Sequence, residues 1–134
     1  MRQLFTRLIA IVLVAMIGLT GCSSGGVSGQ MTGNYSQDTL TVIDSLRTAI
    51  NLPDDDPGKK AAEAEARNLI NDFASRYRRN TSVATLSSFT TIRTALNALA
   101  GHYSSYPNRP VPEKLKNRLE QEFKQVEAAL KRGA

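Results

Sequence analysis

Few residues of this chain could do chemistry. His102 is its only histidine, and no Asp or Glu lies within four positions of it. It therefore has no partner for a His-His metal pair and no nearby carboxylate to orient it as a base. Asp54-Asp55-Asp56 could attract a divalent cation, but the run lacks the spaced ligands and closing glutamate of an EF-hand. It reads as a solvated acidic loop. Glu63, Glu65, Glu120 and Glu122 could in principle hold two metals inside a bundle. Such sites use inward-facing Glu-x-x-His pairs, and these acids fall outside the apolar stripes described below. No catalytic, metal or cofactor constellation remains, and a non-enzyme is expected.

Cys22 is the exception. It is the only cysteine, so no intramolecular disulfide or C-x-x-C metal site is available. Leu19-Thr20-Gly21-Cys22 resembles a bacterial lipobox, where a lipoprotein signal peptide is cut and the cysteine acylated. The flanks agree. Arg2 and Arg7 give a basic start without acids, and Leu8 to Leu19 run for twelve uncharged residues. That suits a signal-peptide apolar region and falls short of the roughly 20 residues of a membrane span. Residues 1–21 are expected to be removed. Cys22 would then carry a diacylglycerol on sulfur and an acyl chain on nitrogen. Residues 22–34, Gly/Ser-rich through Gly33, read as the lipidated N-terminus and a mobile linker.

Cleavage would leave 113 of the 134 residues, enough for one domain. Removing Arg2 and Arg7 from the 17 basic residues leaves 15 against 12 acids, or +3. That is too little to argue for nucleic acid.

The elements that must position any site are helical. Leu40, Ile43, Leu46 and Ile50 recur at three- and four-residue steps over 36–51, with Ser36 as N-cap and Asp38 in the first turn. Ala62, Ala66, Leu69, Ile70, Phe73 and Tyr77 mark a second helix over 59–79. Val83, Leu86, Phe89, Ile92, Leu96, Leu99 and Tyr103 mark a third over 82–104. Leu115, Leu119, Phe123, Val126 and Leu130 mark a fourth over 112–131, with Pro112 in its first turn. No segment alternates with the period of a strand. An all-α, up-down-up-down four-helix bundle over 35–134 is expected.

Two stretches could recognise a partner. Arg76-Tyr77-Arg78-Arg79 could clamp carboxylates, or could simply complement a helix dipole at a C-terminus. Tyr103, Tyr106 and Arg109 lie on or beside a connector with three prolines in six residues. They are residue types found at interface hot spots, or could pack on the bundle end.

Longer motifs carry a resemblance. They are Gly33-Asn34-Tyr35-Ser36-Gln37-Asp38-Thr39, residues 66–79 (ARNLINDFASRYRR), residues 88–97 (SFTTIRTALN) and residues 101–110 (GHYSSYPNRP). With the lipobox, they are similar to the cyanobacterial photosystem II assembly and repair lipoprotein family over essentially the whole mature chain. The resemblance implies a non-enzymatic four-helix bundle, anchored by lipid to the lumenal side of the thylakoid membrane. It implies transient binding to assembly intermediates, chiefly through a core antenna protein, before the manganese cluster and extrinsic subunits are in place. The chain is then expected to be a monomer when free. The other reading is a generic periplasmic lipoprotein that binds a small ligand or metal within its bundle.

Overall fold

The structure, a computed structural model, describes residues 31–134. The expected signal peptide, Cys22 and most of the expected linker lie outside the described residues.

Four long helices and one short one follow in order. They are α1 (Tyr35–Asn51), α2 (Lys59–Tyr77), α3 (Thr81–Ala84), α4 (Ser87–Ser105) and α5 (Glu113–Lys131). No strand occurs among the described residues. The hairpin partners α1–α2 and α4–α5 pack most extensively, and α1–α5 and α2–α4 meet along looser seams. The long helices thus run up, down, up and down, each burying its apolar stripe. No helix among the described residues is long and apolar enough to cross a membrane.

The core is aliphatic with three phenylalanines. Val42, Leu46, Leu69, Ile92, Leu99, Leu119, Phe123 and Val126 are fully buried, and Phe73 and Phe89 nearly so. One stripe residue is misplaced by the periodic reading. Leu40 is 44% exposed, while Val42 and Ala49 complete the buried face of α1.

The helix boundaries differ where side chains compete for the ends. Asn34, not Ser36, caps α1, its side chain accepting from the Gln37 N–H at 3.0 Å. Helix α2 stops at Tyr77, and Asn80 starts α3 by accepting from Ser82 N–H. The third expected helix is two. Leu86 is extended (φ −73°, ψ 138°) and separates α3 from α4. The break frees the Ser88 N–H, which an unbroken helix would direct to Ala84, to donate to the Ala134 carbonyl at 3.0 Å. Pro112 is the cap of α5 rather than its first residue.

Residues 31–34 were expected in the mobile linker, and the structure corrects this. Met31 packs into the core. Thr32 donates to Asp38 Oδ1 through both its N–H (2.7 Å) and its hydroxyl (2.8 Å), and the Gly33 N–H donates to Oδ2 (3.1 Å). Gly33 has φ +89°, a left-handed turn that glycine adopts without strain and that aims both N–H groups at the carboxylate.

Asp38 itself is fully buried. Its place at the end of the first turn lets it reach back over the helix start. The Tyr77 hydroxyl, from the end of α2, also donates to Oδ2. Burial pushes the Asp38 pKa up, but the hydrogen bonds from Tyr77, Thr32 and Gly33 outweigh it, and the carboxyl stays below its ordinary value. Tyr77 is pushed up by burial and by its bond to Asp38.

Two consequences are measurable. Tyr77→Phe removes a donor to a buried charge and should cost about 1.5–3 kcal/mol in chemical denaturation. Because the folded pKa of Asp38 is depressed, its stabilisation is complete above the ordinary carboxylate value of about 3.9 and is lost as pH falls below it. Asp38→Asn should therefore flatten the acid limb of the stability-pH curve. A wild-type slope in that variant would show that another group governs acid unfolding.

Candidate docking surfaces

Hydrogen bonds between helix ends define two poles. At one, Asp38 joins α1 to α2, the Tyr35 hydroxyl lies 2.8 Å from Ser88 Oγ and joins α1 to α4, and Ser88 joins α4 to the C-terminal residue. Tyr35 also stacks among Phe73, Tyr77 and Phe89, its ring 5.4 Å from that of Tyr77 and nearly edge-on. The start of α1, the end of α2, the start of α4 and the end of α5 therefore meet here. The loop between α1 and α2 and the connector between α4 and α5 form the other pole.

The two candidate stretches lie at opposite poles. Arg76, Arg78 and Arg79 are exposed at the first, on the C-terminal end of α2. Tyr77 is not available to a partner, since it is 2% exposed with its hydroxyl on Asp38. Tyr106 and Arg109 lie at the second pole. Tyr106 is 48% exposed, and the Arg109 guanidinium sits 5.5 Å from its ring centroid. Tyr103 is corrected to a core position, buried beneath the Arg67 guanidinium, which lies 5.9 Å from its ring centroid. The Tyr103 hydroxyl is enclosed without a hydrogen-bond partner, and burial pushes its pKa up to about 12. The apolar stripes that predicted α2 and α4 already contained both tyrosines; the hot-spot reading conflicted with that pattern, and the pattern prevails.

His102 fixes the Pro-rich connector. It is buried, its Nε2 lies 3.2 Å from the accepting Arg109 carbonyl, and its ring contacts Tyr103 and Tyr106. Nothing in the seven-residue spacing signals that contact. Beside the connector, Lys59 turns inward and donates to the Leu52 carbonyl (3.0 Å) and to Asp54 (2.6 Å). The Lys59 hydrogen bond holds the Asp54 carboxyl below its ordinary value. Asp56 accepts from the Gly58 N–H at 2.7 Å. The acidic loop is thereby tied to the start of α2, and an open cleft of about 550 Å³ separates it from Pro107–Pro110. No group of three His, Cys, Asp or Glu converges on a metal position among the described residues.

The α1–α5 seam is closed by Arg47. Its guanidinium donates to Glu120 and Glu127, both at 2.9 Å, and lies 5.8 Å from the centroid of the Phe123 ring. The hydrogen bond to Glu120 and the neighbouring Glu127 raise the Arg47 pKa despite its partial burial. The two glutamates are seven apart on α5, two helical turns on one face, and that spacing is the sequence signal that foretells an inter-helix clamp.

The fold and these surfaces define a class: a four-helix bundle whose buried polar groups hold its ends together and whose exposed candidate residues, Arg76, Arg78 and Arg79 at one end and Tyr106 and Arg109 at the other, lie at separate poles. Comparison with known proteins narrows the class. Residues 6–130 match the family model described as Photosystem II Pbs27. The Photosystem II assembly factor lipoprotein Psb27 of Thermosynechococcus vestitus is 58% identical over 134 residues, covering 100% of this chain and 98% of that protein. The chloroplastic Photosystem II repair protein PSB27-H1 of Arabidopsis thaliana is 37% identical over 108 residues, covering 80% of this chain and 62% of that protein. A solution structure of Psb27 from cyanobacterial photosystem II superposes with a TM-score of 0.73 at 58% identity, covering 78% of this chain and 90% of that one. The chain belongs to the Photosystem II Pbs27 family.

The two interior tyrosines should respond in opposite ways. Tyr103→Phe deletes a hydroxyl without a partner and should leave the thermal midpoint unchanged or raise it, whereas Tyr77→Phe should lower it. Equal losses in both variants would show that the Tyr103 hydroxyl is bonded, for instance to an enclosed water.

Proposed function

We propose that this chain is a non-enzymatic assembly and repair factor of photosystem II, held by lipid on Cys22 at the lumenal face of the thylakoid membrane. In this reading it binds assembly intermediates transiently through the core antenna protein, before the manganese cluster and the extrinsic subunits are in place. The observation that carries the reading is the end-to-end identity of 58% with a protein named an assembly factor lipoprotein. The name of the Arabidopsis relative adds repair.

The physical mechanism is occupancy. A lipid anchor confines the bundle to a membrane surface and raises its effective concentration near partners there. Each buried lipid CH₂ contributes about 0.8 kcal/mol, so the two or more chains of a lipoprotein cysteine hold firmly without a spanning helix. Exposed cations then meet acidic lumenal segments, and the docked bundle excludes subunits that arrive later. Of the candidate residues, Arg76, Arg78, Arg79, Tyr106 and Arg109 are exposed and can take part. The ligand-binding alternative finds little support in a bundle interior lined by aliphatic and aromatic side chains.

A pull-down of the tagged full chain from thylakoids should recover the core antenna protein in complexes that lack the extrinsic subunits. Mass spectrometry of the same sample should find Cys22 as an acylated N-terminus. Recovery of fully assembled, oxygen-evolving complexes alone would overturn the proposed timing. An unmodified cysteine within a longer N-terminal peptide would overturn the anchor.

A further inference from the structure

The two looser seams of the bundle are finished differently. The α1–α5 seam is complete: Arg47 lies over Phe123 and is held between Glu120 and Glu127. In the α2–α4 seam Arg67 of α2 lies over Tyr103 of α4, and Arg93 lies over Phe89, one turn earlier on its own helix. The Arg93 guanidinium lies 5.9 Å from the centroid of Phe89. Here, however, no carboxylate completes the pair. Neither Arg93 nor Arg78, which lines the same seam, forms an ion pair among the described residues.

The seam is also hollow. Ile70, Phe73, Phe89 and Leu96 floor a depression of about 290 Å³. Ala74 on α2 and Asn97 on α4 are too short to fill it, and both are exposed on its rim with the two arginines. The hollow therefore offers an apolar floor, two cations without internal counter-charges and one amide.

We propose that the α2–α4 seam is the docking groove for a partner protein. The segment it accepts places a carboxylate beside an aliphatic side chain. The aliphatic group enters over Phe89 and Leu96, and the carboxylate takes between Arg78 and Arg93 the place that Glu120 and Glu127 take around Arg47. An arginine over an aromatic face favours a carboxylate through charge-assisted bonds, and the apolar floor adds a requirement that a lipid headgroup or free anion does not meet. The groove opens beside the first pole, where Arg78 stands, and runs along the side of the bundle toward Asn97. The proposal rests on the assembly-factor reading and names the chemistry of its contact.

The test uses the tagged full chain in thylakoids. Arg93→Glu and Ala74→Leu change exposed positions, one reversing charge and the other filling the hollow. Each should lower recovery of photosystem II assembly intermediates roughly tenfold, with an unchanged thermal midpoint. Lys124→Glu makes the same charge change on the exposed face of α5 and should leave recovery intact. A photoreactive residue at Asn97 in an otherwise unaltered chain should crosslink to an acidic segment of a photosystem II protein. Wild-type recovery by both groove variants would overturn the groove alone. An equal loss with Lys124→Glu would reduce the effect to net charge, and crosslinks to lipid only would assign the seam to the membrane surface; either result overturns the proposal. Failure of the wild type to recover any photosystem II protein would instead remove the functional reading, and this inference with it.

Discussion

One buried carboxylate organises an entire pole. Burying an unpaired charge is expensive enough that it must be compensated locally. Asp38 is compensated by Thr32 and Gly33 from before α1 and by Tyr77 from the end of α2. The chain preceding the first helix is therefore folded back onto the bundle, and α2 is fixed where Tyr77 must reach. Tyr35 and Ser88 extend the same tie to α4, and the Ser88 N–H extends it to the C-terminal residue. Remove the carboxylate and α1 loses its tie to α2 and to the chain before it, leaving only the Tyr35–Ser88 and Ser88–Ala134 bonds to hold this pole.

That constraint also decides what remains for partners. A tyrosine amid three arginines has the composition of a recognition site. Its hydroxyl is already committed to Asp38, so the arginines around it stand outside while the ring belongs to the core. The same division holds at the other pole, where Tyr103 points inward and Tyr106 outward. Residue type alone cannot separate the two cases, because tyrosine has an apolar ring and a polar tip and serves either role.

The sequence makes the helices legible because their apolar residues recur with the helical period, and a stripe of that kind must be buried. Ile43, Leu46, Leu69, Phe73, Ile92, Leu99, Leu119 and Phe123 all follow from that rule. It misplaces Leu40, which shares the stripe's spacing but stands at its edge, where rotation of α1 decides the outcome. The break at Leu86 is illegible for a different reason. Beside it the Ser88 N–H donates to Ala134, a contact 46 positions away that no local pattern encodes. Asp38 is half legible: a first-turn acid suggests the helix dipole, and only the fold shows that Tyr77 arrives beside it. The Arg93–Phe89 pair on α4 is ordinary helical spacing in the sequence. It acquires meaning only when set against Arg47, whose glutamates come from another helix.

The separation of the poles bears on how so small a domain can engage a large assembly. Helix α2 has 19 residues, which at about 1.5 Å each puts the poles about 28 Å apart. Arg79 and Arg109 therefore cannot grip one short segment together. A partner that touched both would have to lie along the bundle, and the side of the bundle between them is the α2–α4 seam. In the proposed docking mode, cations at the poles and an arginine-rimmed groove between them are parts of one elongated face rather than rival sites. The polar contacts contribute mainly to capture, since exposed charge pairs are worth little once formed. In the proposed docking mode the partner itself covers the groove, and that covered contact is the part able to set how long the complex lasts.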